Sequence, residues 1–312
     1  MDIEKNVPLA DKNWFRTGGN AVCFCQPSTV DEFRQALQYS KENNLDITLI
    51  GQGANVLISD AGIDGLVIRP VLRDIELVGK ENGYSLVKAG AGVTIHQLIE
   101  WCLDHNLTGL EEFGGIPGSV GGSVYNNLHY FEYSLSDFIV FADVINKATG
   151  EVETVDKEWF GFGYDQSRLH DKDYFLLNAT LRLKQGSDID AAYARGRRAE
   201  IIRHRVKRYP MARTCGSFFR NFLADEVDVE VNGKKAVWVA YYLDQLGFKG
   251  TLRVGGAQVS SQHANMIVNT GAATAKDIVD LARKMQQMVK DKFGLVPQSE
   301  CILLGFKKYP LL

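Results

Sequence analysis

The sequence predicts an α+β chain built of more than one domain. Three observations carry this. At 312 residues the chain exceeds the usual span of a single domain. Short aliphatic runs alternate with stretches whose apolar residues recur at helical spacing. Glycine turns separate many of these segments, and no internal repeat or low-complexity tract interrupts them.

Val22 to Cys25 reads as a short strand. Ser28 and Asp31 resemble a capping box ahead of Phe33, Ala36, Leu37 and Ser40, which share one helical face. Ile47 to Ile50 reads as a buried strand, and Gly51-Gln52-Gly53-Ala54-Asn55 as a glycine turn. Val56 to Ile58 and Gly65 to Arg69 resume strand. Ile75 to Val78 and Tyr84 to Ala89 look antiparallel. A helix follows, with Ile95, Leu98, Ile99 and Cys102 on one side. Further strands are expected at Phe138 to Ile145, Val152 to Val155 and Phe175 to Leu183.

Residues 190 to 208 read as a basic helix. Its arginines suit a solvated face or a polyanion site, and Pro210 breaks the pattern. A helix near Val237 to Leu246 should close at Gly247, and Met266 to Asn269 reads as a strand. The last helix has the clearest signal. Thr274 and Asp277 form its capping box. Ile278, Leu281, Ala282, Met285 and Met288 form its apolar face, and Gly294 ends it. Glu300 then leads into the apolar strand Cys301 to Leu304.

Composition narrows the function class. A net charge of −3 argues against a protein held to nucleic acid by bulk electrostatics. The odd count of five cysteines, with no C-x-x-C pair, argues against a disulfide framework and fits reduced core thiols. No His/Cys/Asp grouping has metal-ligand spacing, so no metal is expected. The start of the chain has no apolar signal core, and no run suits a membrane span. A soluble cytoplasmic protein is therefore expected.

Several places could carry chemistry. Gly51-Gln52-Gly53-Ala54-Asn55 fits a tight turn or a loop that lets backbone N–H groups approach a phosphate. It is not the dinucleotide fingerprint, because no third glycine opens a helix. Gly114-Gly115-Ile116-Pro117-Gly118-Ser119-Val120-Gly121-Gly122 has more glycines than a turn needs, which favours a backbone wrapped on a pyrophosphate. Two such loops, each expected after a strand, fit one long dinucleotide. Glu300, at the edge of an apolar strand, suits either a desolvated carboxyl with a raised pKa or a salt bridge. Ser217 lies between Gly216 and two phenylalanines. It fits a proton donor assisted by Arg220, or a serine that hydrogen-bonds its own turn. None of the six histidines sits in a G-x-S-x-G elbow, which disfavours hydrolase chemistry. His263 is a lone histidine and reads as structural.

Five motifs in order give a resemblance covering nearly the whole chain. They are Asn13-Trp14-Phe15-Arg16-Thr17-Gly18-Gly19; Gly51-Gln52-Gly53-Ala54-Asn55-Val56-Leu57-Ile58; Gly109-Leu110-Glu111 through Gly122; Cys215-Gly216-Ser217-Phe218-Phe219-Arg220-Asn221; and Gly255-Gly256-Ala257-Gln258-Val259 with His263-Ala264-Asn265. Together they resemble the UDP-N-acetylenolpyruvoylglucosamine reductase (UDP-N-acetylmuramate dehydrogenase) family, in its shorter variant.

The resemblance implies an FAD-binding fold of the vanillyl-alcohol-oxidase type. Its parts would be a first flavin subdomain (1–70, joined by the tail 295–312), a second (71–208) and a substrate domain (209–294). It implies a monomeric FAD enzyme that uses NADPH to reduce a UDP-sugar enolpyruvyl ether in peptidoglycan synthesis. By position Ser217 is the proton donor, and Glu300 assists at the enol. The cofactor contacts are Gly51, Gln52, Gly53, Ala54, Asn55 and Val56, with Gly115, Ile116, Pro117, Ser119, Val120, Gly121 and Gly122. Substrate contacts are Tyr164, Arg220, Asn221, Gln258 and His263.

Three positions depart from the family pattern. Asp165 stands where the family carries a catalytic arginine, which removes the cation expected to hold the substrate carboxylate. Arg168 lies three residues on, and strand alternation aims it at the other face. The stretch Asn127 to Glu132 is bulkier than usual, and Ala54 replaces a common serine. The first two leave open a related reductase with another substrate, or a flavin-binding protein without catalysis.

Overall fold

The helical stretch starting at Ile95 forms as its sequence dictates. Thr94 and Gln97 close a reciprocal capping box, and the helix Ile95–Asp104 buries Ile95, Leu98, Ile99 and Cys102. Those side chains face an antiparallel sheet in a computed structural model that describes all of residues 1–312. The chain divides into two units. The first comprises Met1–Lys5, Cys23–Gln52 and Gly65–Arg205, and the second Asn6–Val22, Gly53–Asp64 and Val206–Leu312.

In the first unit the main sheet runs Val152–Asp156, Ile139–Asn146, Tyr174–Gln185, Tyr84–Gly90, Ile75–Glu81, with Leu107–Thr108 also on Tyr174–Gln185. Every pairing is antiparallel. Val87, Ala89, Ala179 and Leu181 alternate inward to meet the helix, as period-two patterning requires. A separate core gathers Cys23, Cys25, Phe33, Ala36, Leu37, Leu66 and Ile68 around the helix Val30–Glu42. Here Ile47–Leu49 pairs in parallel with Leu66 to Ile68.

The cap of Val30–Glu42 lies one residue later than the sequence suggests. Thr29, not Ser28, accepts the Glu32 N–H, and the Glu32 carboxylate reaches back to the N–H and hydroxyl of Ser28. Glu32 can serve both only with the cap at Thr29.

The basic helix is Asp188–Arg208. Its cations meet carboxylates of neighbouring elements: Arg195 meets Glu100 and Asp104, Arg197 meets Glu112, and Arg198 meets Glu100. This pairing weakens the polyanion reading.

In the second unit the helix Ala275–Phe293 carries the Thr274–Asp277 capping box and ends at Gly294, with φ of 73°. Ile278, Leu281, Ala282 and Met285 are buried, and Met288 packs at the edge of the same core. That core also takes Phe218, Phe219, Phe222 and Tyr242. Arg253–Val254, Ala257–Val259 and Ile267–Asn269 form a three-stranded antiparallel sheet. Val56–Ile58 pairs in parallel with Ile302–Leu304. The helix Val239–Gln245 stops before Gly247, whose φ is 70°.

All five cysteines are buried and free. No helix is long and apolar enough to cross a membrane. No group of three or more His, Cys, Asp or Glu side chains is placed to hold a metal ion.

Candidate active site

Ser217 follows Gly216, whose φ of 83° suits a residue without a Cβ. The next residue fixes its place. The Phe218 carbonyl accepts the N–H of Glu300 at 2.9 Å and that of Cys301 at 3.3 Å. Phe219 bridges Ser299, and the Arg220 N–H donates to the Gln298 carbonyl at 2.9 Å. The serine motif and the tail are thus laced together as a short ladder. Ser217 and Glu300 are both half-buried beside it.

Asn265 holds the ladder from behind. Its carbonyl accepts the Phe218 N–H at 2.8 Å. Its side-chain oxygen accepts the Phe219 N–H at 3.1 Å, and its amide donates to the Phe219 carbonyl at 2.7 Å. Phe218 and Phe219 themselves are fully buried and meet edge to face. The sequence displays Asn265 within a motif but gives it no task, because its partners lie far away along the chain.

The other residues expected near substrate are positioned as follows. Arg220 forms a forked pair with Glu226, at 2.9 and 2.7 Å. The Asn221 side-chain oxygen accepts the Val239 N–H at 3.3 Å, at the start of Val239–Gln245. Gln258 donates to the Gly250 carbonyl at 2.8 Å. His263 Nδ1 accepts the Asn265 N–H at 3.3 Å, and its ring lies against Tyr209. Burial lowers the His263 pKa, so the ring is held neutral.

Asn55 reaches the same ladder. Its amide donates to the Glu300 carbonyl at 3.3 Å, and its own carbonyl accepts the Ile302 N–H at 3.0 Å. Gly53 comes within reach of Lys12 and Asn13, and a Cβ on it would lie 2.5 Å from the Lys12 carbonyl oxygen. Near this turn, Asn13 Oδ1, Thr17 Oγ1 and Asn55 Oδ1 are buried and meet no protein partner. Ala54 and Val56 complete the turn, and Val56 opens the parallel strand.

In the first unit, Gly51 and Gln52 follow Ile47–Leu49. A Cβ on Gly51 would lie 2.3 Å from Ser119 Oγ. The second glycine loop does not follow a strand directly, as the sequence suggested. It leaves the 3-10 turn Leu110–Phe113 and opens the short helix Val120–Tyr125. Ser119 caps that helix by accepting the Gly122 N–H at 3.3 Å. The Val120 and Gly121 N–H groups donate to the carbonyls of Val93 and Ala91. Gly115 (φ 77°) and Gly118 (φ 152°) hold positive-φ backbone around Ile116 and Pro117.

Tyr164 and Asp165 form the tip of a two-residue turn, closed by Gly163 N–H donating to the Gln166 carbonyl at 3.0 Å. Asp165 Oδ1 lies 3.6 Å from His129 Nδ1, and the His129 ring meets that of Tyr164 at 4.7 Å. Arg168 is not on a strand. It starts the 3-10 turn Arg168–Asp171, and its guanidinium lies 4.6 Å above the Trp159 ring. The alternation argument for its direction therefore does not apply.

Comparison with known proteins adds two family matches. Residues 207–304 match the UDP-N-acetylenolpyruvoylglucosamine reductase C-terminal domain. Residues 21–156 match an FAD binding domain. A UDP-N-acetylenolpyruvoylglucosamine reductase of Lactobacillus acidophilus is 32% identical over 98% of this chain and 96% of its own. One from a Synechococcus strain is 34% identical over 99% and 94%. The crystal structure of the reductase from Thermus caldophilus aligns with a TM-score of 0.78 at 28% identity, covering 97% of this chain and 99% of that one.

Proposed function

The chain belongs to the UDP-N-acetylenolpyruvoylglucosamine reductase family, and from that premise we propose that it reduces UDP-N-acetylglucosamine enolpyruvate to UDP-N-acetylmuramate, using FAD and NADPH, in peptidoglycan precursor synthesis. The observation that carries this reading is the ladder that ties the segment of Ser217 to that of Glu300 through the Phe218 carbonyl.

The residues fit FAD. The loop Gly51 to Asn55 packs so closely that a Cβ at Gly51 or Gly53 would clash with the protein itself, and the loop Gly115 to Gly122 holds positive-φ glycine backbone, both consistent with tightly turned main chain at a cofactor. Asn13 Oδ1 and Asn55 Oδ1 are buried acceptors that suit hydroxyl or amine donors of such a cofactor. When bound, FAD supplies hydride to the enolpyruvyl carbon.

The chain's own residues then manage charge and a proton. Hydride arrival leaves negative charge on the neighbouring carbon and its carboxylate. Glu300 assists at the enol in this reading. Ser217 Oγ gives its proton to the carbon. Arg220 and Asn221, fixed by Glu226 and Val239, flank the serine and bind substrate. Tyr164, Gln258 and His263 complete the substrate contacts in this reading.

Asp165 favours one second reading, in which a related reductase takes another substrate. One experiment addresses both. Purified protein should be yellow, NADPH should bleach it, and the enolpyruvyl nucleotide should restore the colour. Colourless protein unable to take up FAD overturns the first reading, and bleaching without restored colour favours the second.

A further inference from the structure

Asn55 touches two parts of the second unit at once. It ends the turn Gly53 to Asn55, which packs on Lys12 and Asn13. The Trp14 N–H donates to the Gly53 carbonyl at 2.9 Å and fixes the turn to that segment. On the other side, the Asn55 backbone carbonyl accepts the Ile302 N–H at 3.0 Å, where Val56–Ile58 and Ile302–Leu304 begin their parallel pairing. Asn13, Asn55, Ser217 and Glu300 all belong to the second unit, so these relations are internal to it.

The side chain of Asn55 has a donor end and an acceptor end. Nδ2 donates to the Glu300 carbonyl at 3.3 Å. Turning the amide over would set oxygen against oxygen, so Oδ1 points away from Glu300. That oxygen is buried and meets no protein partner. Asn13 repeats the pattern. Its amide is taken by the Leu9 and Thr17 carbonyls at 2.7 and 2.8 Å, and its oxygen is buried with no protein partner. Buried acceptors of this kind call for a donor from a bound molecule. FAD carries such donors on its ring N3, its ribityl and ribose hydroxyls and its adenine amine. A donor on Oδ1 also polarises the amide and strengthens the hydrogen bond that Nδ2 gives to Glu300. The two ends are thereby coupled, and such coupling is reciprocal.

We propose that Asn55 is a positioning residue that ties the flavin cofactor to Glu300: Oδ1 accepts a hydrogen bond from FAD while Nδ2 holds the main chain of Glu300. Cofactor binding then sets where the Glu300 side chain works. This deepens the function proposed above and rests on it.

The test uses flavin-loaded protein, with urea midpoints reporting that each variant is folded. FAD release on dilution, read by flavin fluorescence, gives Kd without any turnover. Asn55→Ala should raise that Kd about tenfold, the worth of one hydrogen bond to a buried acceptor. With the flavin reduced chemically in advance and FAD saturating, reoxidation by the enolpyruvyl nucleotide should slow about tenfold. In a Glu300→Ala background the same substitution should slow reoxidation by less than about twofold, because Asn55 acts through Glu300. Should Asn55→Ala fail to fold, Asn55→Ser, too short to reach both partners, carries the same expectations. An unchanged Kd overturns the cofactor end of the proposal, as it would if a water alone meets Oδ1. A full tenfold loss in the Glu300→Ala background overturns the other end. Failure of the parent reading looks different: wild-type reduced enzyme would not be reoxidised by the nucleotide at all.

Discussion

The Phe218 carbonyl accepts the Glu300 N–H at 2.9 Å, so the residue after Ser217 and the tail glutamate share one hydrogen bond. The segments of Ser217 and Glu300 are thereby held side by side, the positioning that proton transfer in the proposed reaction draws on. Ser217→Ala should leave flavin reduction by NADPH intact. It should slow reoxidation by the enolpyruvyl nucleotide about 100-fold to 10,000-fold, the usual worth of a positioned acid. Stopped-flow absorbance separates the two half-reactions. Equal loss in both would sink the proton-donor role.

Asn265 should matter as much for stability as for rate. It is nearly fully buried and makes both side-chain hydrogen bonds to Phe219. Asn265→Ala strands a buried N–H and a buried carbonyl, each costing about 1–3 kcal/mol. The expected loss is therefore about 2–6 kcal/mol in urea denaturation, with slowed reoxidation because the ladder beside Ser217 loosens. A change under about 0.5 kcal/mol would show that the clamp is dispensable.

Local signals were the legible ones. The Thr274–Asp277 cap, the apolar face to Met285 and the stop at Gly294 all lie within one continuous stretch, and each formed as the residues require. Even there a one-residue slip is easy, because Ser28 and Thr29 are equally good caps until the reach of Glu32 decides between them. Arg168 misled for a related reason. Alternation gives a side chain's direction only on a strand, and this arginine starts a 3-10 turn. The His129–Asp165 contact and the Asn265 clamp were illegible because neither is local. Each joins loops that only the folded topology brings together.

The cysteines should be chemically quiet. Burial pushes the Cys25 and Cys102 thiols up to about 12, and burial also holds Cys215 well above the ordinary thiol value. The reactive species is the thiolate, so these groups are inert near neutrality. All five thiols are buried, so an aromatic disulfide reagent at neutral pH should find no fast-reacting thiol in folded protein and five after denaturation. A native thiol reacting within seconds would contradict this.

Asp277 sets an acid limit on stability in the second unit. Its carboxylate accepts the N–H of Thr274 at 3.1 Å and that of Gly256 at 3.2 Å, and its own N–H donates to Thr274 Oγ1 at 3.0 Å. The hydrogen bond from the Thr274 backbone is the main cause of a pKa held below the usual aspartate value. Its position is otherwise crowded: a Cβ on Gly256 would lie 2.3 Å from the Ala273 nitrogen, so the turn cannot shift to compensate. A depressed pKa in the folded state means the unfolded chain binds the proton more readily. The stabilisation is thus fully present above the ordinary value, and is lost as pH falls through the folded one. Asp277→Asn should be less stable than wild type near neutrality. The gap should close as pH drops below about 4. Urea midpoints of both proteins across that range measure it. A gap that stays constant into acid would mean the carboxylate charge contributes nothing to holding the helix Ala275–Phe293 in place.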